Sequence, residues 1–200
     1  MKKILSAFII CFLIFWAGRI ISINQNPPII AYYDIGDTLD CGDLEVSFHK
    51  DISFPESIGI LIENPSFLPQ YTGFKNLKLL AGLTGGISDE DIRTALEHVG
   101  LDPDDKRTYR KYSLGMKQKL GIANAIMGEP DVIILDEPIN ALDEESVRKI
   151  KRVLLEIRNK DKLIIIACHD REELEYLSDI IYEIKDGSIV DRKEITNDNT

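Results

Sequence analysis

Residues 112–143, YSLGMKQKLGIANAIMGEPDVIILDEPINALD, decide how the remaining sequence is read. Ser113 is placed to cap a helix, because a serine hydroxyl accepts from an exposed N–H of the first turn. Gly115 sits in that turn, where the missing side chain lets another group approach the backbone. A helix N-terminus with free N–H groups attracts anions, phosphate above all. The pattern continues through Leu120, Ala123 and Met127 and stops at Gly128, ahead of Pro130. Val132–Leu135 is an unbroken apolar run, as a parallel strand buried on both faces requires. Asp136 and Glu137 follow where the run ends, and ligands of open α/β sheets bind outside the carboxyl ends of the strands. An Asp there suits Mg²⁺, a hard cation that takes oxygen ligands. The next carboxylate is placed to orient or deprotonate a water. Taken singly, each feature is a cap or a solvated loop; their order and spacing together mark a site.

With these residues in place, the stretch resembles the ATP-binding cassette (ABC) ATPases. Ser113-Leu114-Gly115 matches the family's signature in an S-L-G-M-K-Q form, VIILDEP matches Walker B, and Ala141-Leu142-Asp143 matches the D-loop. His169, after the apolar run Leu163–Ala167, matches the switch histidine. Upstream, IGILIENPSFLPQYTGFKNLKLLAG looks like the Q-loop and the helical segment after it, with Glu63 where many members have Gln. The variant resembles the lantibiotic- or bacitracin-export and self-protection subfamily, over residues 52 to 190. The resemblance implies ATP and Mg²⁺ as cofactors. It implies Asp136 as the metal residue, Glu137 as the base, and His169 as the γ-phosphate sensor. Glu63 takes the metal and coupling position. Ser113 and Gly115 contact ATP held on an opposite subunit, and Asp143 joins them through the D-loop. A transmembrane permease subunit and a second cassette subunit are the implied partners.

The flanking elements fit an α/β sheet. Ser88 and Asp91 begin an amphipathic helix whose Ile92, Ala95, Leu96 and Val99 share a face, and Gly100 ends it. Residues 102–111 read as a charged, solvated loop. Asp143 caps a helix with Glu144 and Glu145 in its first turn and a core face of Val147, Ile150, Val153, Leu154 and Ile157. Leu163–Ala167 is a second buried strand, and Glu172–Leu177 a short helix. Ile180–Ile184 and Ser188–Val190 pair as a hairpin around Asp186-Gly187. Alternating strands and helices indicate a parallel sheet carrying a helical signature subdomain: an incomplete ABC-type P-loop fold over 51–192, with a polar tail at 193–200.

The N-terminus has a different character. Lys2 and Lys3 precede the apolar run 4–23, whose length suits one transmembrane helix. Trp16 and Arg19 are placed for one interface. A cleaved signal peptide is the rival, and the missing small-residue cleavage site favours an uncleaved anchor over 1–23. Residues 24–50 form an acidic linker with Pro27-Pro28 and a strand-like alternation at Leu44, Val46 and Phe48. Net charge of −10 argues against a nucleic-acid surface and for solubility. Cys11, Cys41 and Cys168 make no CxxC pair. Cys168 beside His169 reads as a small residue ending a buried strand rather than a metal pair.

No GxxxxGK followed by Ser or Thr, the loop that cradles nucleotide phosphates, occurs in these residues. The positive-inside rule also places residues after 23 outside the cell, whereas a working cassette faces cytoplasmic ATP. Both conflicts suggest a join of unrelated pieces near residue 50. Three functions stay open: a truncated, impaired cassette ATPase; a non-catalytic partner donating its signature motif to another subunit; and a membrane-anchored protein with an inert cassette remnant.

Overall fold

The computed structural model describes residues 20–23, 57–62, 65–158, 162–185 and 188–195. Within them the strands are β1 (Ile20–Ile23), β2 (Ile58–Leu61), β3 (Val132–Asp136), β4 (Leu163–Cys168), β5 (Ile180–Lys185) and β6 (Ser188–Glu194). The helices are α1 (Gly73–Thr84), α2 (Asp89–His98), α3 (Leu114–Ile126), α4 (Glu144–Arg158) and α5 (Arg171–Leu177). They build one sheet in the order β2-β3-β4-β1-β5-β6.

Strands β2, β3 and β4 are parallel, as the unbroken apolar runs require. Strand β1 lies antiparallel to both β4 and β5, and β5 and β6 form an antiparallel pair. The sheet is therefore mixed rather than purely parallel. Ile20–Ile23, expected at the end of a membrane helix, is instead a sheet strand. A strand on either side takes its backbone groups. The rest of the expected span, residues 4–19, lies outside the described residues, as do the 24–50 linker and its strand-like pieces. Among the described residues no helix is long and apolar enough to cross a membrane.

Strand β3 is buried at every position, and Leu61, Ile133, Leu135, Leu120, Ile122, Ile150 and Leu154 make the centre of the core. Each such fully buried aliphatic side chain contributes about 1.5–3 kcal/mol relative to exposure. Helix α3 lies directly against β2. A Cβ on Gly59 would stand 1.7 Å from the carbonyl oxygen of Ala125, and one on Gly121 would meet Leu61 Cδ1 at 2.6 Å and Pro65 Cγ at 2.7 Å. Only glycine at both positions permits this approach. At the opposite end of the strands, Ser57 Oγ donates to Asp131 at 3.1 Å and Lys162 Nζ reaches the same carboxylate at 3.1 Å. The Lys162 ammonium, with Ser57, holds the Asp131 carboxyl below its ordinary range.

Helix α2 begins with the anticipated capping box. Ser88 Oγ accepts from the Asp91 N–H at 3.2 Å, and the Asp91 carboxylate accepts from the Ser88 N–H at 2.7 Å. Residues 102–108 form the expected loop, largely open to solvent, and the departure comes at its end. A 3₁₀ turn follows at Tyr109–Lys111, and Tyr109 is buried against Phe67. On α4, Ile150, Val153 and Leu154 are buried, whereas Val147 and Ile157 are only partly so. Strand β6 extends to Glu194, into the stretch expected as a frayed tail, and the Ile195 N–H donates to Asp179 O at 2.7 Å.

Candidate functional site

The site is assembled at the carboxyl ends of β3 and β4. Parallel pairing sets Asp136 opposite Ala167, which brings the following residues, Glu137 and Cys168-His169, side by side. The Glu137 N–H donates to Ala167 O at 2.8 Å, one step past the regular ladder. Asp136 and Glu137 are 4% and 3% exposed. Both carboxylate oxygens of Glu137 lie 2.9 Å from His169 Nδ1, and the imidazole itself is 74% exposed. A buried carboxylate thus meets a histidine that solvent or a ligand reaches directly. That pairing equips the sheet end to bind and move a proton.

The turn after β3 is strained. Glu137 has φ 50° and Ala141 φ 63°, both in the left-handed region that side-chain-bearing residues seldom adopt. Each such residue costs on the order of 1 kcal/mol and persists only where surrounding contacts hold it. Gln118 supplies part of that hold. Its Nε2 donates to Glu137 O at 2.8 Å and to Pro138 O at 3.3 Å. The Asn140 N–H also donates to Glu137 O at 3.2 Å.

Ser113 caps α3 by accepting from the Met116 N–H at 3.2 Å, and its side chain is exposed. The group that approaches Gly115 is Ala141 of the chain's own D-loop-like turn, whose carbonyl oxygen stands 3.1 Å from where a Cβ would be. Asp143 caps α4, accepting from the Ser146 N–H at 2.8 Å, and that bond holds its carboxyl below the ordinary range. The structure therefore brings Glu137 and His169 together, with Asp136 buried at the end of β3 one residue before Glu137. Ser113, Gly115 and residues 141–143 form a second group, and Gln118 links the two. Glu63 lies outside the described residues. Cys168 is buried behind His169; burial first, then the nearby Glu137 charge, pushes its thiol up to about 11.

Two residues with evident structural roles at the site were not singled out in the sequence. Gln118 lies on a helix face otherwise made of Gly121, Ile122 and Ala125, all buried. A polar side chain on an apolar face was the available signal. Tyr109 donates its hydroxyl to Pro65 O at 2.6 Å, which ties the segment after residue 63 to the approach to Ser113. Next to it, Tyr112 accepts from the Gly73 N–H at 3.2 Å, and burial raises its phenol.

The fold and this cluster define an α/β sheet protein whose strand ends present buried carboxylates and a histidine beside a capped helix start. The model of the ABC transporter family matches residues 30–140, and the chain belongs to that family. The match begins at residue 30, within the stretch that the sequence alone suggested as an unrelated linker. An uncharacterized ABC transporter ATP-binding protein, YybJ of Bacillus subtilis (strain 168), is 45% identical over 141 residues, 70% of this chain and 65% of that protein. The bacitracin transport ATP-binding protein BcrA of Enterococcus faecalis is 41% identical over 140 residues, 70% of this chain and 46% of that protein. The chain thus spans about half to two thirds of the length of these curated relatives. The dimeric structure of MJ0796, a bacterial ABC transporter cassette, superposes with a TM-score of 0.65 at 23% identity, over 70% of this chain and 64% of that one. At that identity the likeness speaks for the fold.

Proposed function

We propose that this chain is an ATP-binding subunit of an antibiotic- or peptide-export system and acts by completing an ATP site on a second cassette subunit. The observation that carries the donor reading is Ser113, exposed at the capped start of α3 with Gly115 in the first turn, while the Glu137–His169 pair at 2.9 Å supports the cassette class. The bacitracin transport relative supports the export class, and a transmembrane permease is the partner that class calls for.

In this reading Asp136 holds Mg²⁺. A buried carboxylate at a strand end is a hard oxygen donor and fits that ion. Magnesium, when bound, neutralises charge on the phosphates. Glu137 takes a proton from the attacking water, and His169, paired to that carboxylate and open to solvent, reaches toward the terminal phosphate. Ser113 and Gly115 face the nucleotide of the other subunit, Asp143 sits beside them, and Glu63 stands at the metal and coupling position. These 200 residues contain no GxxxxGK loop followed by Ser or Thr, so the chain is proposed to be impaired in holding ATP by itself. That is why the donor role is preferred over independent turnover. A working cassette of this kind lies on the cytoplasmic side of the membrane, with the segment before β1 as its proposed attachment.

The test is ATP binding and turnover by the full chain with Mg²⁺, alone and mixed with an intact cassette subunit of the same kind. The expected result is no turnover alone above a Glu137→Gln control, and binding in the mixture that a Ser113→Arg variant removes. Glu137-dependent turnover by the chain alone would overturn the donor reading. Absence of binding in both arms would leave a cassette without nucleotide chemistry.

A further inference from the structure

The cluster at the ends of β3 and β4 contains a residue that the ATPase reading does not use. Cys168 Sγ, a carboxylate oxygen of Glu137 and an imidazole nitrogen of His169 all lie within 4.8 Å of one another. These are a soft, a hard and an intermediate donor, the mixture that a borderline cation such as Zn²⁺ accepts. Their placement follows from the fold. Cys168 is the last residue of β4, His169 follows it, and the register of β3 on β4 brings Glu137 against both.

We infer that Glu137, Cys168 and His169 form a binding site for a zinc-like divalent transition metal. Three protein donors leave a fourth position for water, and the exposed His169 ring provides the path of entry. Binding requires the three donors, now within 4.8 Å of one another, to close to coordination spacing. On binding, the Cys168 sulfur ligates the metal as thiolate and the thiol's proton is released to solvent. Occupancy engages Glu137 and His169 together, so neither remains available to a water or a phosphate. The metal is thus an inhibitor of whatever proton transfer this pair performs. Binding itself does not depend on the ATPase reading, because the donors are fixed by the sheet.

The experiment is titration of Co²⁺ alone into the full chain, followed by absorption spectroscopy, without nucleotide. The expected result is a thiolate-to-cobalt charge-transfer band with four-coordinate ligand-field bands, saturating at one equivalent and bleached by Zn²⁺. A Cys11→Ser/Cys41→Ser double variant keeps the band. Cys168→Ser loses it, and His169→Ala weakens binding by at least about tenfold. No charge-transfer band in the natural chain, or a band lost from the double variant, overturns the proposal. The double variant retains the three donors, so misfolding of a Cys168 variant does not decide the matter.

Discussion

The side-chain amide of Gln118 donates to the main-chain carbonyl of Glu137 at 2.8 Å, so the helix opened by Ser113 holds the turn that carries the buried carboxylate. The bond is buried, and it joins residues nineteen apart in sequence.

Replacing Gln118 by Leu keeps the volume and removes the donor. The carbonyls of Pro138 and Glu137 both lose the amide donor, and Glu137 O keeps the longer bond from Asn140. The expected loss is about 1–3 kcal/mol, the cost of leaving buried polar groups unpaired. Denaturant unfolding of the full chain measures it. An unchanged midpoint would mean that the turn holds its left-handed residues without help.

Gly59→Ala is the sharpest packing test. The added methyl would collide with the Ala125 carbonyl, a backbone atom that cannot swing aside. Overpacking of this kind costs typically about 1–3 kcal/mol, and a backbone clash belongs at or above the top of that range. The expected result is a large fall in Tm or insoluble protein. Gly82→Ala, with nothing within 4 Å of the new methyl, serves as the benign control.

Tyr109→Phe removes a single hydroxyl that donates to Pro65 O and leaves the ring against Phe67. The expected destabilisation is about 1 kcal/mol. Hydrogen exchange is expected to rise at residues 65–72, and an equal rise over the whole chain would contradict a local role.

The acid limb of stability follows from carboxylates held below their ordinary range. Asp143 is depressed by the Ser146 N–H, Asp91 by the Ser88 N–H, and Asp131 by Lys162 and Ser57. A depressed folded value means that the unfolded chain takes up the proton first. The stabilisation is therefore present above the ordinary carboxylate range and is lost as pH falls through the lower folded values. Unfolding free energy measured against pH is expected to drop on the acid side, less steeply in an Asp91→Asn/Asp143→Asn variant. An identical slope would show that these caps do not set it.

Much of this architecture was legible because its causes are local. The Ser88–Asp91 capping box, the Ser113 and Asp143 caps and the apolar runs of β3 and β4 each need only a few neighbouring residues, and all appear as expected. The ordered pair Asp136-Glu137 and the distant His169 were found through motif resemblance, and the strand register then brought them together. Three features resisted. Ile20–Ile23 reads as membrane-apolar, because a four-residue apolar strand and the end of a longer apolar helix have the same composition. The short β2 was hidden by Gly59, whose purpose is visible only once α3 lies on it. The roles of Gln118 and Tyr109 depend on partners nineteen and forty-four residues away, which no local pattern contains.

The two interlocked glycines have a mechanical consequence. Because Gly59 leaves no cushion between β2 and the end of α3, and Gly121 none between α3 and Leu61 or Pro65, helix and strand cannot slide past each other. They behave as a single lever. A displacement where Ser113 begins the helix is expected to carry Leu61 and Pro65 with it, through the close contacts at Gly59 and Gly121.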